Sequence, residues 1–232
     1  KVNSVSDQRS QVFFKNGRAY IVGCGDYLVY GTWNDGSSYE LRRVENNEDT
    51  YVPTTTISID NDDVTDDTQR ATLDDINILT KKRKNTLVGV ASEQSHTWTL
   101  DSSIDIGSIV TIECDIVGGV KFTLKNDGGN ILYNQHNVES GSVDFANGKV
   151  TIKGIVTQPP IENQANITVT FEHKHYKADR IINCTFGVLF GANGNTDRLF
   201  LSGNSDYKNL DFHSESNDFT YFGEQNTSSM DS

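Results

Sequence analysis

This sequence lacks the short signatures that announce a reaction centre. It has no G-x-S-x-G elbow, no phosphate-cradling P-loop and no G-x-G-x-x-G, and Gly23-Cys24-Gly25 lacks the rest of a dinucleotide fingerprint. A paired-carboxylate hydrolase remains open, because such pairs meet only in the fold, yet nothing singles out a pair among 32 acidic residues. Apolar runs are short. None reaches the roughly 18 residues of a membrane-crossing helix, so no membrane span is expected. Cysteine is scarce, with 3 residues at the wide positions Cys24, Cys114 and Cys184. That odd number and the missing CxxC or Cys/His cluster indicate neither a disulfide framework nor a zinc site, and free thiols in a reducing cytoplasm are expected. Basic residues are outnumbered 20 to 32, for a net charge of -12. An acidic surface repels phosphate, and Lys and Arg gather only at Lys81-Lys82-Arg83-Lys84, so specific nucleic-acid binding is not expected. Beginning at Lys1, with its single methionine at Met230, the chain reads as a piece of a longer protein.

Glycine, by contrast, occurs 19 times against 3 prolines, which suits many tight turns between short strands. Four β-rich runs, Gln11 to Phe14, Arg18 to Val22, Tyr27 to Tyr30 and Tyr39 to Val44, are separated by Asn16-Gly17, Gly23-Cys24-Gly25-Asp26 and Asn34-Asp35-Gly36. Asn-Gly and Asp-Gly tolerate the positive φ of hairpin turns, so residues 11–46 predict four antiparallel strands, the size of a propeller blade. Thr54 to Ile59 adds another β-branched run, and the aspartate-rich stretch 60–75 predicts a solvated loop.

From about residue 94 the texture changes. Seven short runs between Trp98 and Phe171 predict a small β-sandwich, with Val110, Ile112, Cys114 and Ile116 on the buried face of one strand and Val169 and Phe171 inward on another. After Tyr176 the meander texture returns in Cys184 to Phe190, Arg198 to Asn204 and Phe219 to Phe222. The fold expected is therefore all-β: propeller-like antiparallel meander blades over residues 1–93 and 177–232, interrupted by an inserted sandwich over 94–176.

Several strings carry a family resemblance. They are Phe13-Phe14-Lys15-Asn16-Gly17-Arg18-Ala19-Tyr20-Ile21 with Tyr27-Leu28-Val29-Tyr30; Tyr51-Val52-Pro53-Thr54-Thr55-Thr56-Ile57; Asn77-Ile78-Leu79-Thr80-Lys81-Lys82-Arg83-Lys84-Asn85; and Asp197-Arg198-Leu199-Phe200-Leu201-Ser202-Gly203-Asn204. Together they resemble the tail and connector structural proteins of bacteriophages and prophages, some of them similar to packaged-DNA stabilisation proteins that form a ring below the portal. Gly141-Ser142-Val143-Asp144-Phe145-Ala146-Asn147-Gly148-Lys149-Val150-Thr151 is similar to small β-domains inserted in tail and baseplate proteins. The resemblance implies a non-enzymatic virion protein, assembled in the bacterial cytoplasm. It implies a homo-oligomeric ring for the full-length protein, with portal, tail or adaptor subunits as partners.

Candidate sites are few. The loop at 60–67 offers cation ligands, but counting from Asp60 the fifth and sixth places hold Val64 and Thr65, where a calcium loop needs an oxygen ligand and Gly. His173 and His175 share one strand face with no further histidine spaced to complete a metal site. Asn193, Asn195 and Asp197 read as a hairpin turn before a cation loop. No catalytic residue, cofactor or metal is expected. Trp33, beside a turn, and Tyr39 are the candidate ligand contacts, and the alternative reading they support is a carbohydrate- or receptor-binding module of a phage tail or bacterial surface protein.

Overall fold

The computed structural model describes residues 10–33, 36, 38–46, 50–58, 76–90, 94–161, 164–174, 176–191 and 197–229. The acidic stretch 60–75, His175 and the turn at Asn193 and Asn195 lie outside the described residues. No described helix is long and apolar enough to cross a membrane.

The chain is all-β. It opens with β1 (Gln11–Lys15), β2 (Arg18–Val22), β3 (Leu28–Gly31) and β4 (Glu40–Arg43), hydrogen-bonded in that order as an antiparallel meander. The first hairpin turns at Asn16 and Gly17, both with positive φ, 50° and 75°. This handedness matches the twist of the flanking strands, and glycine adopts it without strain. Next come β5 (Thr54–Ser58), β6 (Lys82–Val88), β7 (His96–Thr99), β8 (Thr111–Ile116), β9 (Val120–Lys125), β10 (Ile131–Asn134), β11 (Glu139–Asp144), β12 (Lys149–Ile152) and β13 (Ile167–Glu172). A single-turn helix, α1 (Asp179–Ile182), leads to a second meander of β14 (Phe186–Phe190), β15 (Arg198–Ser202), β16 (Leu210–His213) and β17 (Thr227–Ser229).

The chain divides into two compact units. The first comprises Lys1–Tyr51, Leu73–Thr80 and His175–Ser232, and so holds both four-stranded meanders; the second comprises Val52–Thr72 and Lys81–Lys174.

In the second unit, the strands form one sheet in the order β5-β6-β13-β8-β9-β10-β11-β12-β7, which curls like half a barrel. Where a sandwich of two sheets is the expectation from sequence, the strands are hydrogen-bonded into this single sheet, and β5 and β6 belong to it although both precede residue 94. All neighbours run antiparallel except β5 and β6, which are parallel. Alternation explains why β6 joins. Lys82 and Lys84 take one phase, and Arg83, Asn85 and Leu87 take the other and are buried. The concave core gathers Leu87, Trp98, Ile112, Cys114, Leu124, Leu132, Val150, Val169 and Phe171. Burying one such aliphatic or phenyl side chain contributes about 1.5–3 kcal/mol.

In the first unit, the two meanders share one core. Tyr20, Val22 and Val29 come from the first sheet and Leu199, Leu201 and Phe212 from the last, with Ala178 and Ile181 at α1. Tyr20 meets Phe219 edge-on, centroids 5.3 Å apart, and the Tyr27 hydroxyl donates to the Phe219 carbonyl at 2.7 Å. Asn77 ties the pieces together. Its buried amide donates to the carbonyls of Tyr51 and Thr220, both at 2.8 Å, and its oxygen accepts from the backbone N–H of Leu79 and Phe222. All of its amide hydrogens are used, which is what a buried side-chain amide requires.

Candidate functional site

Both ligand contacts expected from sequence border one cleft of the first unit. Its volume is about 690 Å³, and its wall includes Lys15, Arg18, Trp33, Tyr39, Tyr51 and Asp218. The β1–β2 turn forms one lip through Asn16 and Gly17. Lys15 extends from the end of β1 and donates to Asp197 at 2.9 Å and to the Asn217 side-chain oxygen at 2.7 Å. Asp218 uses one carboxylate oxygen to accept from the backbone N–H and hydroxyl of Thr220.

Trp33 and Tyr39 play different parts there. Trp33 is only 6% exposed. The guanidinium carbons of Arg18 and Arg42 stand 4.3 and 4.7 Å from its ring centre, and its indole N–H points to the Glu40 carbonyl. Strands on either side in sequence supply these arginines, and the ring is packed as part of the wall instead of being presented as a platform. Tyr39 is 65% exposed and stacks on Tyr30, centroids 5.6 Å apart. Tyr51, also exposed, stacks on Tyr221 at 4.7 Å. The cleft thus offers two open tyrosine rims above a polar floor.

Groups with shifted protonation lie outside this cleft. Burial pushes the thiols of Cys114 and Cys184 up to about 12. A thiol held neutral is a poor nucleophile. Burial also raises the Tyr27 hydroxyl far above its ordinary value. Glu45 is raised by burial, opposed by nearby Arg43. Among the described residues, no three His, Cys, Asp or Glu side chains gather as metal ligands would. His173 is buried, and its backbone N–H is bonded to the Lys81 carbonyl.

A second feature is apolar and less visible in the sequence. Strand register puts Val12, Phe14, Ile21, Tyr30 and Leu41 on the outer face of the first meander, away from the shared core. On the last meander it puts Phe186, Val188, Phe190 and Phe200 on the outer face. Phe14 is 75% exposed and Phe190 62%, with Phe186 and Val188 also more than half exposed. Between β14 and β15 these side chains and Leu201, Ser202 and Asp211 line an apolar groove of about 490 Å³. The sequence signal for this surface is Phe186-Gly187-Val188-Leu189-Phe190, an edge strand with no polar phase. An edge strand facing water on one side normally alternates with polar residues.

No protein family, curated protein or solved structure matches the chain.

Proposed function

We propose that this chain is a non-enzymatic structural component that works by binding neighbouring proteins. The observation carrying this reading is the pair of outer sheet faces. Each four-stranded meander buries its inner face in the shared core and still exposes large apolar side chains outside. A contiguous, exposed apolar surface of this kind marks a contact site, because leaving it in water costs free energy that a partner recovers. Four-stranded antiparallel meanders stacked through their faces are the construction of a β-propeller, in which every blade is covered on both sides. The two meanders are taken as adjacent blades, and the nine-stranded unit as a domain inserted between them in sequence. The setting proposed is a bacteriophage particle, on the likeness of the strand-and-turn strings to connector and tail proteins, with portal, tail or adaptor subunits as partners.

The test is composition. Mass spectrometry of purified particles from the bacterium that encodes the chain is expected to find its peptides at stoichiometric level. Particles that lack it, or turnover of a bacterial polysaccharide by the purified protein, would overturn the reading.

One observation favours a second reading, a glycan-binding module: exposed Tyr39 and Tyr51 flank a cleft floored by hydroxyl, amide and carboxylate groups. Sugar rings stack on such aromatics and bond to such groups. Binding on a glycan array that disappears with Tyr39→Ala would support it.

A further inference from the structure

Lys15 sits where two distant parts of the chain meet inside the first unit. It closes β1, and its side-chain partners Asp197 and Asn217 flank the last meander, Asn217 lying 202 residues further on. Its Nζ donates to the Asn217 side-chain oxygen at 2.7 Å and to Asp197 Oδ2 at 2.9 Å. A primary amine, a primary carboxamide and a carboxylate thus converge on one nitrogen. The amide carbon lies one carbonyl bond, about 1.23 Å, behind that oxygen, so a small shift of the lysine side chain brings Nζ to it. The Lys15 side chain is only 18% exposed, and its Nζ stands 5.9 Å from the centre of the Phe219 ring. The other two groups are tied through their backbones. The Asn217 N–H donates to the Asp197 carbonyl at 2.7 Å, and Asn217 takes a left-handed φ of 62°. Asparagine is among the few side chains that adopt this conformation.

We infer that Lys15 and Asn217 become joined by an isopeptide bond that the folded chain forms within itself, with Asp197 as the proton acceptor. A proton passes from the Lys15 ammonium to Asp197, which leaves a neutral amine with a free electron pair. That pair attacks Asn217 Cγ, and the new N–C bond pushes the carbonyl electrons onto Oδ1. Nδ2 takes the proton held by Asp197. The carbonyl re-forms, the Cγ–Nδ2 bond breaks and ammonia leaves, carrying off the surplus proton of the new amide nitrogen. In sum, one ammonium and one primary amide give one secondary amide and one ammonium ion. Asp197 ends unchanged, and no oxidant, metal or co-reactant takes part. The Asp197 side chain is 42% exposed and Asn217 is exposed, so the ammonium ion has a way out. Groups already held in contact react as though at very high effective concentration. The bond closes residues 15–217 in one covalent loop that contains the whole second unit in sequence. Such closure restricts the unfolded chain and so favours the folded one. The inference does not depend on the assembly reading, since no partner chain takes part.

Mass spectrometry of the purified full chain, denatured just before measurement, reads this directly. The parent chain should be lighter than its sequence mass by about 17 Da, one ammonia. Trypsin should leave the bond after Lys15 uncut and release one branched peptide joining the segments that hold Lys15 and Asn217. Lys15→Arg and Asn217→Ala should each restore the sequence mass. Asp197→Asn keeps both reacting groups and should also stay at the sequence mass, because the proton acceptor is gone. A parent chain at its sequence mass overturns the inference, whatever the variants do. So does a mass loss that maps to a cyclic imide at Asn16-Gly17 or Asn147-Gly148, where an asparagine can shed ammonia onto its own backbone. A branched peptide that forms as completely in Asp197→Asn as in the parent overturns the role given to Asp197. The particle-composition test decides the assembly reading separately.

Discussion

Arg83 grips a single carboxylate oxygen of Asp101 with two donors, Nε at 3.0 Å and Nη2 at 2.7 Å, and both side chains are sealed from solvent. The backbone N–H of Asp101 is held in turn by the Asn85 oxygen at 3.1 Å. The second Asp101 oxygen, Oδ1, is buried without a partner. Two charges have therefore been taken out of water, and their mutual attraction offsets a large desolvation cost.

Breaking this pair from one side should be severe. Asp101→Asn removes the carboxylate charge facing the buried Arg83 guanidinium in the core of the nine-stranded unit, and urea unfolding should register a loss of about 3–5 kcal/mol. Replacing both partners with apolar residues of similar size, Arg83→Met with Asp101→Leu, should return most of that loss. If the double variant is no more stable than Asp101→Asn, the pair contributes more than a buried charge needing neutralisation.

Much of this architecture was legible in the sequence. Asn16-Gly17 announced the first hairpin because only a few residues accept positive φ, and the alternation around Ile112, Cys114, Val169 and Phe171 announced strands with one buried face. Other features depend on long-range pairing that no local pattern records. Lys81 to Lys84 is where Lys and Arg gather in the sequence, yet the two-residue phase of β6 turns Arg83 inward to Asp101. The parallel pairing of β5 with β6 joins segments on opposite sides of the aspartate-rich stretch. Of the candidate site, the cleft's membership was half visible: Trp33 and Tyr39 do share it, while the arginines that cover Trp33 became evident only when β2 and β4 were brought beside it.

Trp33 and Tyr39 should consequently respond differently to truncation. Trp33→Ala empties a buried, arginine-flanked site beside the core of the first unit, where such a change typically costs about 3–5 kcal/mol, and thermal unfolding should shift clearly downward. Tyr39→Ala touches an exposed ring and should change stability by no more than about 0.5 kcal/mol. Equal losses in the two melts would contradict the packing described. A stable Tyr39→Ala is also the clean variant for any ligand test of the cleft.

The cysteines should separate by reactivity. Cys24 is partly exposed, whereas Cys114 and Cys184 are buried with thiols pushed up to about 12. At pH 8 a thiol-specific reagent should label one cysteine in the folded protein and three after denaturation. The folded state favours the neutral form of the two buried thiols, so their contribution to stability is whole below the ordinary thiol value of 9.0 and falls as pH rises from there toward about 12. Denaturant midpoints measured from pH 8 to 11 should decline, and less steeply in Cys114→Ala, provided that variant folds. Labelling of all three thiols in the native protein would place the buried two at the surface.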